Sequence, residues 1–503
     1  MSSLDQRIAA LAERYTELAA ELLAELVRIP ADHVAEDPRC GLSNHEGPRL
    51  GYLKCWLVEH GAVASPDDVY FDEFGNLVWQ LEDPDDGIAV QDKKVIYLDG
   101  HTDTVQALRP QWLERLGGGV DAYDGLLDSA QLDWDYLSTQ LGYLPPPAER
   151  AQLVFGRGAA DQLGGVVVQA VAAKVLMELR SEGALRGVRI RSYATVAEED
   201  NDGGGPMHLC RKVFPTLPAH ELPDVVVLTE GTGDSYSGAL GIYRGQRGRM
   251  QIEVEVTGRS CHGSMPKEGL NPLEFGSMIL HEAAEQAKEG FKDHDFLGRG
   301  TRTASDANLD TPSDCAVPER FVFRFDRRLT AGETPAGAVA EVEGLAAVTA
   351  TRAAGLSVDV RIPRYEQPTH VGYIPGNDQV YMGWVTPGEH PAIAAAVESY
   401  EAVISPPIAE MGEHPMFQPE PRVSCWIFST DGVGFSVPTH GSGVEVPDSK
   451  RWVKDQAYMH PPMFGLGPGI EQNTHKIGEC VDRRELRHAV AFVARFPTIF
   501  AKK

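Results

Sequence analysis

Val95-Ile96-Tyr97-Leu98-Asp99-Gly100-His101-Thr102-Asp103 is the stretch that decides the fold. Four apolar residues run without alternation into a polar turn. A strand of that kind is buried on both faces, the environment of a parallel sheet covered by helices. Neighbouring segments repeat the pattern. Val225-Val226-Val227-Leu228 is a further apolar run, Val188 to Val196 reads as another strand, and Gly164 to Leu179 reads as a helix rich in Ala and Val. Strands alternating with helices predict an α/β layer with a mostly parallel sheet. Ligands bind such sheets at the carboxyl ends of the strands. The polar residues just after each run are therefore the candidates for chemistry.

Farther along, the pattern changes near Tyr243. Met250 to Val256 alternates apolar and charged residues with period two, the mark of a strand with one wet face. Asn271 to Gln286 reads as a helix, and Phe321 to Phe325 and Leu356 to Ile362 as further strands. Residues 243–365 are thus expected to form a smaller α+β unit, inserted between the first part (1–242) and second part (366–503) of one larger domain. Helices are expected at Pro391 to Val403 and Arg484 to Phe496, and an amphipathic one at Met1 to Pro30.

Composition bounds the function. The chain has 503 residues, 42% hydrophobic and 24% charged, enough for two or three domains. A formal charge of −27 opposes binding to nucleic acid or to an anionic membrane, both of which need a basic surface. It leaves a small anionic substrate open, because a local Arg pocket can sit in an acidic protein. The sequence shows no run of about 18 apolar residues and no basic-then-apolar leader, so a cytoplasmic enzyme is expected. Its seven cysteines are scattered, with no CxxC pair. Reduced thiols fit that better than a disulfide framework or a cysteine metal site.

His101 is a candidate metal ligand, and Asp103 two residues on can fix its tautomer. Taken alone, the turn reads more readily as a polar loop with a satisfied histidine. Asp161 follows Gly156-Arg157-Gly158 and precedes Gly164-Gly165, presented before a helix. The spacing is not that of a dinucleotide loop, so a nucleotide-binding dehydrogenase is set aside. Glu198-Glu199 end the run at Val196, where adjacent buried carboxylates repel unless they have separate tasks. Glu230 follows Leu228 by two residues, and His475 follows the glycine-rich stretch Gly465 to Gly469. Each has a bland reading as turn or surface residue. The set carries more than its members. One bridging carboxylate, with one His and one carboxylate for each of two ions, makes two open metal sites of the kind that activate water.

The order of these motifs resembles the dizinc aminoacylase, carboxypeptidase and desuccinylase family, peptidase family M20. The resemblance runs from about residue 50 to the end. It implies a zinc-exopeptidase-like α/β/α catalytic domain with an inserted lid or dimerisation domain, and a homodimer joined through residues 243–365. By the same resemblance His101 and Glu230 hold one ion, Glu199 and His475 the other, and Asp161 bridges. Asp103 orients His101, and Glu198 is the general base. In Gly258-Arg259-Ser260-Cys261-His262-Gly263-Ser264, His262 matches a lid histidine that reaches a partner's site. Arg328 matches an arginine that grips a substrate carboxylate. Zinc is the first expectation for the two divalent ions, with Mn²⁺ or Co²⁺ accepting the same ligands. The sequences Ile242 to Arg249, Cys315 to Pro318, Asp326 to Glu333 and Phe428 to Gly432 are similar to those of the selenium-metabolism-linked hydrolases.

The resemblance implies a small-molecule substrate and hydrolysis of an amide-type C–N bond. Hydrolytic deamination at the same metals, or an inactive binding relative, are the alternatives. The chain departs from the family in an acidic insertion at 107–150, Gln162-Leu163 after the bridging Asp, Cys315 in place of Asn, and an insertion at about 440–460.

Overall fold

In the computed structural model, which describes residues 3–32 and 45–503, the central apolar runs all become neighbours in one sheet. Strands are numbered in chain order: Val69–Phe71 (β1), Leu77–Glu82 (β2), Lys94–His101 (β3), Val188–Thr195 (β4), Val225–Leu228 (β5), Gly241–Gln246 (β6), Gly248–Thr257 (β7), Thr301–Asp310 (β8), Arg320–Leu329 (β9), Ser357–Arg361 (β10), Val380–Tyr381 (β11), Trp384–Val385 (β12), Arg422–Trp426 (β13) and Met463–Gly465 (β14). The large sheet runs β1-β2-β4-β3-β5-β14-β6-β12, with β13 on β6. β3 lies between β4 and β5, parallel to both. It is buried from Val95 onward, as its unbroken apolar run requires. The sheet is mixed rather than mostly parallel. Parallel pairing holds at β4-β3-β5-β14 and at β13-β6, whereas β1-β2, β2-β4, β14-β6 and β6-β12 are antiparallel. For β1-β2 a short connection explains this: the two strands are joined by a turn too short for the crossover that a parallel pair needs.

Helices cover both faces. Gly164–Glu178 is buried almost all round and packs with Arg483–Phe500. The window Ala159–Glu178 is long and apolar enough to cross a membrane by length and composition, yet 83% of it is buried inside the molecule, the setting of a core helix. The amino-terminal segment forms two helices, Ser3–Arg14 and Thr16–Val27, broken at Tyr15. Met1, Ser2 and Cys40 lie outside the described residues.

The smaller sheet runs β8-β9-β7-β10, with β11 on β7. Its helix Pro272–Glu289 is capped by the Asn271 side chain. Phe321, Phe323, Phe325, Ile252 and Val254 meet that helix at Ile279 and Ala283. The alternating pattern therefore did what period two dictates: one apolar face on a helix, one polar face out. The small sheet runs from Gly248 to Tyr381, so its last strand lies beyond residue 365. Gln246 and Trp384, each within two or three residues of the small sheet, pair in the large one.

Candidate metal centre

The carboxyl ends of β3, β4 and β5 point into one cleft. His101 is the last residue of β3, Glu198 and Glu199 open a short helix three residues after β4, and Glu230 lies two residues after β5. Asp161 comes from the turn before Gly164–Glu178. His475 comes from the loop after β14, at φ +59. His101 Nε2 is 3.0 Å from Asp161 Oδ1 and 3.7 Å from Glu230 Oε2. His475 Nε2 is 3.0 Å from Asp161 Oδ2 and 3.4 Å from Glu199 Oε2. Asp161 thus offers one oxygen to each group. The donor atoms of His101, Asp161 and Glu230 lie within 4.8 Å of one another, as do those of Asp161, Glu199 and His475.

Asp103 is buried and ties the two halves together. Its Oδ1 lies 3.4 Å from His101 Nδ1. The same carboxylate accepts the backbone N–H of Glu198 (3.1 Å) and of Glu199 (2.9 Å). A single side chain therefore orients the histidine and anchors both glutamates. Glu199 also accepts from the Val105 N–H, and Glu230 from Gln162 Nε2 at 2.7 Å.

The charge balance tests whether metal suits this site. Among the described residues, the cations within 4 Å of the Asp161, Glu198, Glu199 and Glu230 carboxylates are the two imidazoles, His101 and His475. Burial raises the Glu198 carboxyl well above its usual range, with Asp202 and Glu199 adding to the rise against the pull of His101. Burial likewise raises Glu230 and Glu199, and the charge of Asp161 adds to both. Burial also opposes charge on His475 and Asp161. Their mutual hydrogen bond, with Glu199 for His475 and His101 for Asp161, outweighs it, lifting His475 to about 11 and lowering Asp161. Clustered carboxylates so far out of their ordinary range need counter-charge. Carboxylate and imidazole donors in two sets of three, sharing one carboxylate, fit a pair of divalent ions with open positions.

Several residues that serve this centre carry no motif readable in isolation. Glu479 is fully buried behind Asp161; its Oε1 accepts the N–H groups of Ala160 and Asp161, and its Oε2 meets Arg157 NH1 at 2.5 Å. An acidic residue inside the buried run Ile477 to Val481 was the available signal. Asp431 accepts from Thr195 Oγ1 behind the site, and burial pushes its carboxyl up to about 7. A ring of polar residues joins the small sheet to the cleft. Arg249 on β7 stands opposite Arg328 on β9. Arg249 reaches Asp202 (2.5 Å) and Asp326 (3.0 Å). Arg328 holds Asp326 (2.7 Å) and Ser429 (3.1 Å), and Ser429 donates back to Asp202 at 2.5 Å. Both arginines face a cleft of about 530 Å³ that also holds Asp161, Glu198, Glu230 and His475.

His262 is elsewhere. It is exposed on the small unit, accepts from Ser264 N and pairs with Ser264 Oγ, and does not line this cleft. Cys315 is exposed beside it, its carbonyl accepting the Gly263 N–H. The insertion at 107–150 forms its own apolar cluster around Trp112 and braces the His475 loop. Asn473 there accepts from the N–H groups of Gly142 and Tyr143 and donates to the Tyr143 carbonyl. The insertion at 440–460 lies away from the cleft, in a small three-stranded sheet.

Comparison with known proteins agrees with this architecture. The model of the M20 peptidase dimerisation domain matches residues 244–353. An Escherichia coli K12 protein, YgeY, described as uncharacterised, is 28% identical over 487 residues, covering 97% of this chain and 95% of that one. A probable succinyl-diaminopimelate desuccinylase from Staphylococcus aureus Mu50 is 31% identical over 182 residues, 36% of this chain and 39% of that one. Among solved structures, human carnosine dipeptidase 1 superposes with a TM-score of 0.59 at 14% identity, covering 99% of this chain and 100% of that one. An M20 metallo-carboxypeptidase from Sulfolobus solfataricus does so at 0.59 and 13%, covering 96% and 99%.

Proposed function

We propose that this M20 metallohydrolase cleaves the amide C–N bond of a small N-acyl amino acid or dipeptide, using two divalent cations, zinc first. The observation that carries the reading is the pair of donor sets sharing Asp161. His101 and Glu230 would hold one ion, Glu199 and His475 the other. Bound there, the ions would supply Lewis acidity to polarise the scissile carbonyl and make water a better nucleophile.

The chain's own groups do the rest. Glu198 lines the cleft with Oε2 3.9 Å from His101 Nε2, outside both donor sets, and so is free to move a proton. It takes the proton of the attacking water and returns it to the departing amine. Its raised carboxyl suits that shuttle. Asp103 keeps it in place through its backbone N–H. Arg328 offers a charge-assisted contact to a substrate carboxylate. The outer edge of the small sheet supports a homodimer: β8 is almost wholly exposed, and long open edges are sites of pairing. In such a dimer His262 would serve the partner's cleft and stabilise the developing oxyanion.

The test is metal analysis followed by turnover of N-acyl amino acids and dipeptides. Two ions per chain and metal-dependent release of a free amino acid are expected. Glu198→Ala should keep both ions and lose turnover. No bound metal, or near-normal rates in Glu198→Ala, would overturn the assignment. Release of ammonia without a carboxylate product would point instead to a deaminase.

A further inference from the structure

A second cavity, of about 430 Å³, lies between the insertion at 440–460 and the segments that join the two sheets. It shares no residue with the metal cleft. Its volume falls in the range of small-molecule sites. Met382, Trp384, Val453 and Tyr458 supply apolar and aromatic wall. The acidic groups on its lining are already engaged. Glu333 holds Arg327 and the Thr330 N–H, and Asp455 accepts from the Ala457 and Tyr458 N–H groups.

Two imidazoles on the lining are differently placed. His460 is 7% exposed, and its Nδ1 lies 2.7 Å from the Pro461 carbonyl. A carbonyl only accepts, so Nδ1 carries the proton and Nε2 is left as an acceptor. Burial holds this ring neutral, with its pKa down at about 4. His294 is the reverse. Its Nδ1 accepts the N–H groups of Phe296 and Leu297, at 3.1 and 3.2 Å. That nitrogen is bare, so Nε2 bears the hydrogen and is left as a donor. One side chain therefore presents an acceptor and another a donor, beside a tryptophan and a tyrosine.

We propose that this cavity is a second ligand site, for a planar cyclic amide whose ring N–H meets His460 and whose carbonyl meets His294. The aromatic wall suits a flat ring, and the polar pair selects a lactam edge over an ether or a plain arene. Met382 lies in the link between the two sheets, and Trp384 opens β12 of the large one.

The experiment is calorimetric titration of the full chain with 2-pyridone and, as control, 2-methoxypyridine, which keeps the ring and lacks the N–H. One equivalent of 2-pyridone should bind, equally in metal-loaded and chelator-treated protein. The control should bind at least about tenfold more weakly, since it leaves a buried acceptor unpaired. Ala331→Phe and Ser436→Phe, each placing a ring in the cavity, should abolish binding while leaving hydrolytic turnover unchanged. His460→Phe should weaken it about tenfold. Equal binding of the two probes, binding that survives both filling variants, binding lost on chelation, or no binding of 2-pyridone would each overturn the proposal. None of these results bears on the metal chemistry.

Discussion

Arg249→Met breaks the ring that ties the smaller unit to the segment bearing Glu198. Arg249 is 23% exposed, and the carboxylates it holds, Asp202 and Asp326, are 5% and 16% exposed. Each bond is charge-assisted and partly buried, worth about 1.5–3 kcal/mol. Each carboxylate also keeps another partner, Ser429 for Asp202 and Arg328 for Asp326, which argues for the low end. The loss should then total about 3 kcal/mol. Asp202 follows the Glu198–Asn201 helix directly, at φ +43. If the tether positions Glu198, half of that loss should surface in the transition state, a fall of about tenfold in kcat/KM. The assay is a double-mutant cycle with Asp202→Asn, read both by urea unfolding and by steady-state kinetics. Coupling is expected in both readouts, with kcat falling more than KM rises. A variant that loses stability but keeps kcat within about twofold, or single effects that simply add, would refute the positioning role and leave a structural ion pair.

Two further outcomes are expected. Asn473→Ala removes the three hydrogen bonds that fasten the His475 loop to the insertion; affinity for one of the two ions should fall about 10–100-fold, as for other losses of support behind a metal ligand, measured by competition with a chromophoric chelator. His488 is buried and its pKa is depressed to about 3, by burial first and then by Arg487 and Arg484. The unfolded chain therefore binds a proton between about pH 6.5 and 3 that the folded chain does not, so this residue's contribution is full above that window and is lost as pH falls through it; the drop in urea midpoint from pH 7 to 5 should be smaller in His488→Phe, and an unchanged drop would contradict the assignment.

Much of the frame was legible because burial writes directly into sequence. β3 and β5 read as strands from unbroken apolar runs, and β7 and β9 from strict alternation, because the two patterns answer two different surroundings. Most of the candidate metal donors were legible for a related reason: His101, Glu199 and Glu230 each stand at or just after the end of a buried strand. What stayed hidden depends on register and on partners distant in sequence. Nothing local marks Arg249, whose role follows from standing opposite Arg328 across β7 and β9. The antiparallel flanks of the large sheet were hidden because short strands such as β12 and β14 leave too few residues for a pattern. The bracing of His475 by residues near 142 joins segments more than three hundred positions apart.

The links between the sheets have a consequence for how such a chain is assembled from parts. β6 ends at Gln246 and β7 begins at Gly248; β11 ends at Tyr381 and β12 begins at Trp384. Gln246 and Trp384 face each other across an antiparallel pair. Where residues 247–383 leave the large sheet, then, their two ends stand at the mouth of a ready-made hairpin. A two-residue turn would close it. The five candidate metal donors and Glu198 all lie outside that interval. The smaller unit is a cassette plugged into a single turn of an otherwise continuous body, and the turn is where one lid, with the arginines it brings to the cleft, could be exchanged for another while the donor residues beneath stay in place.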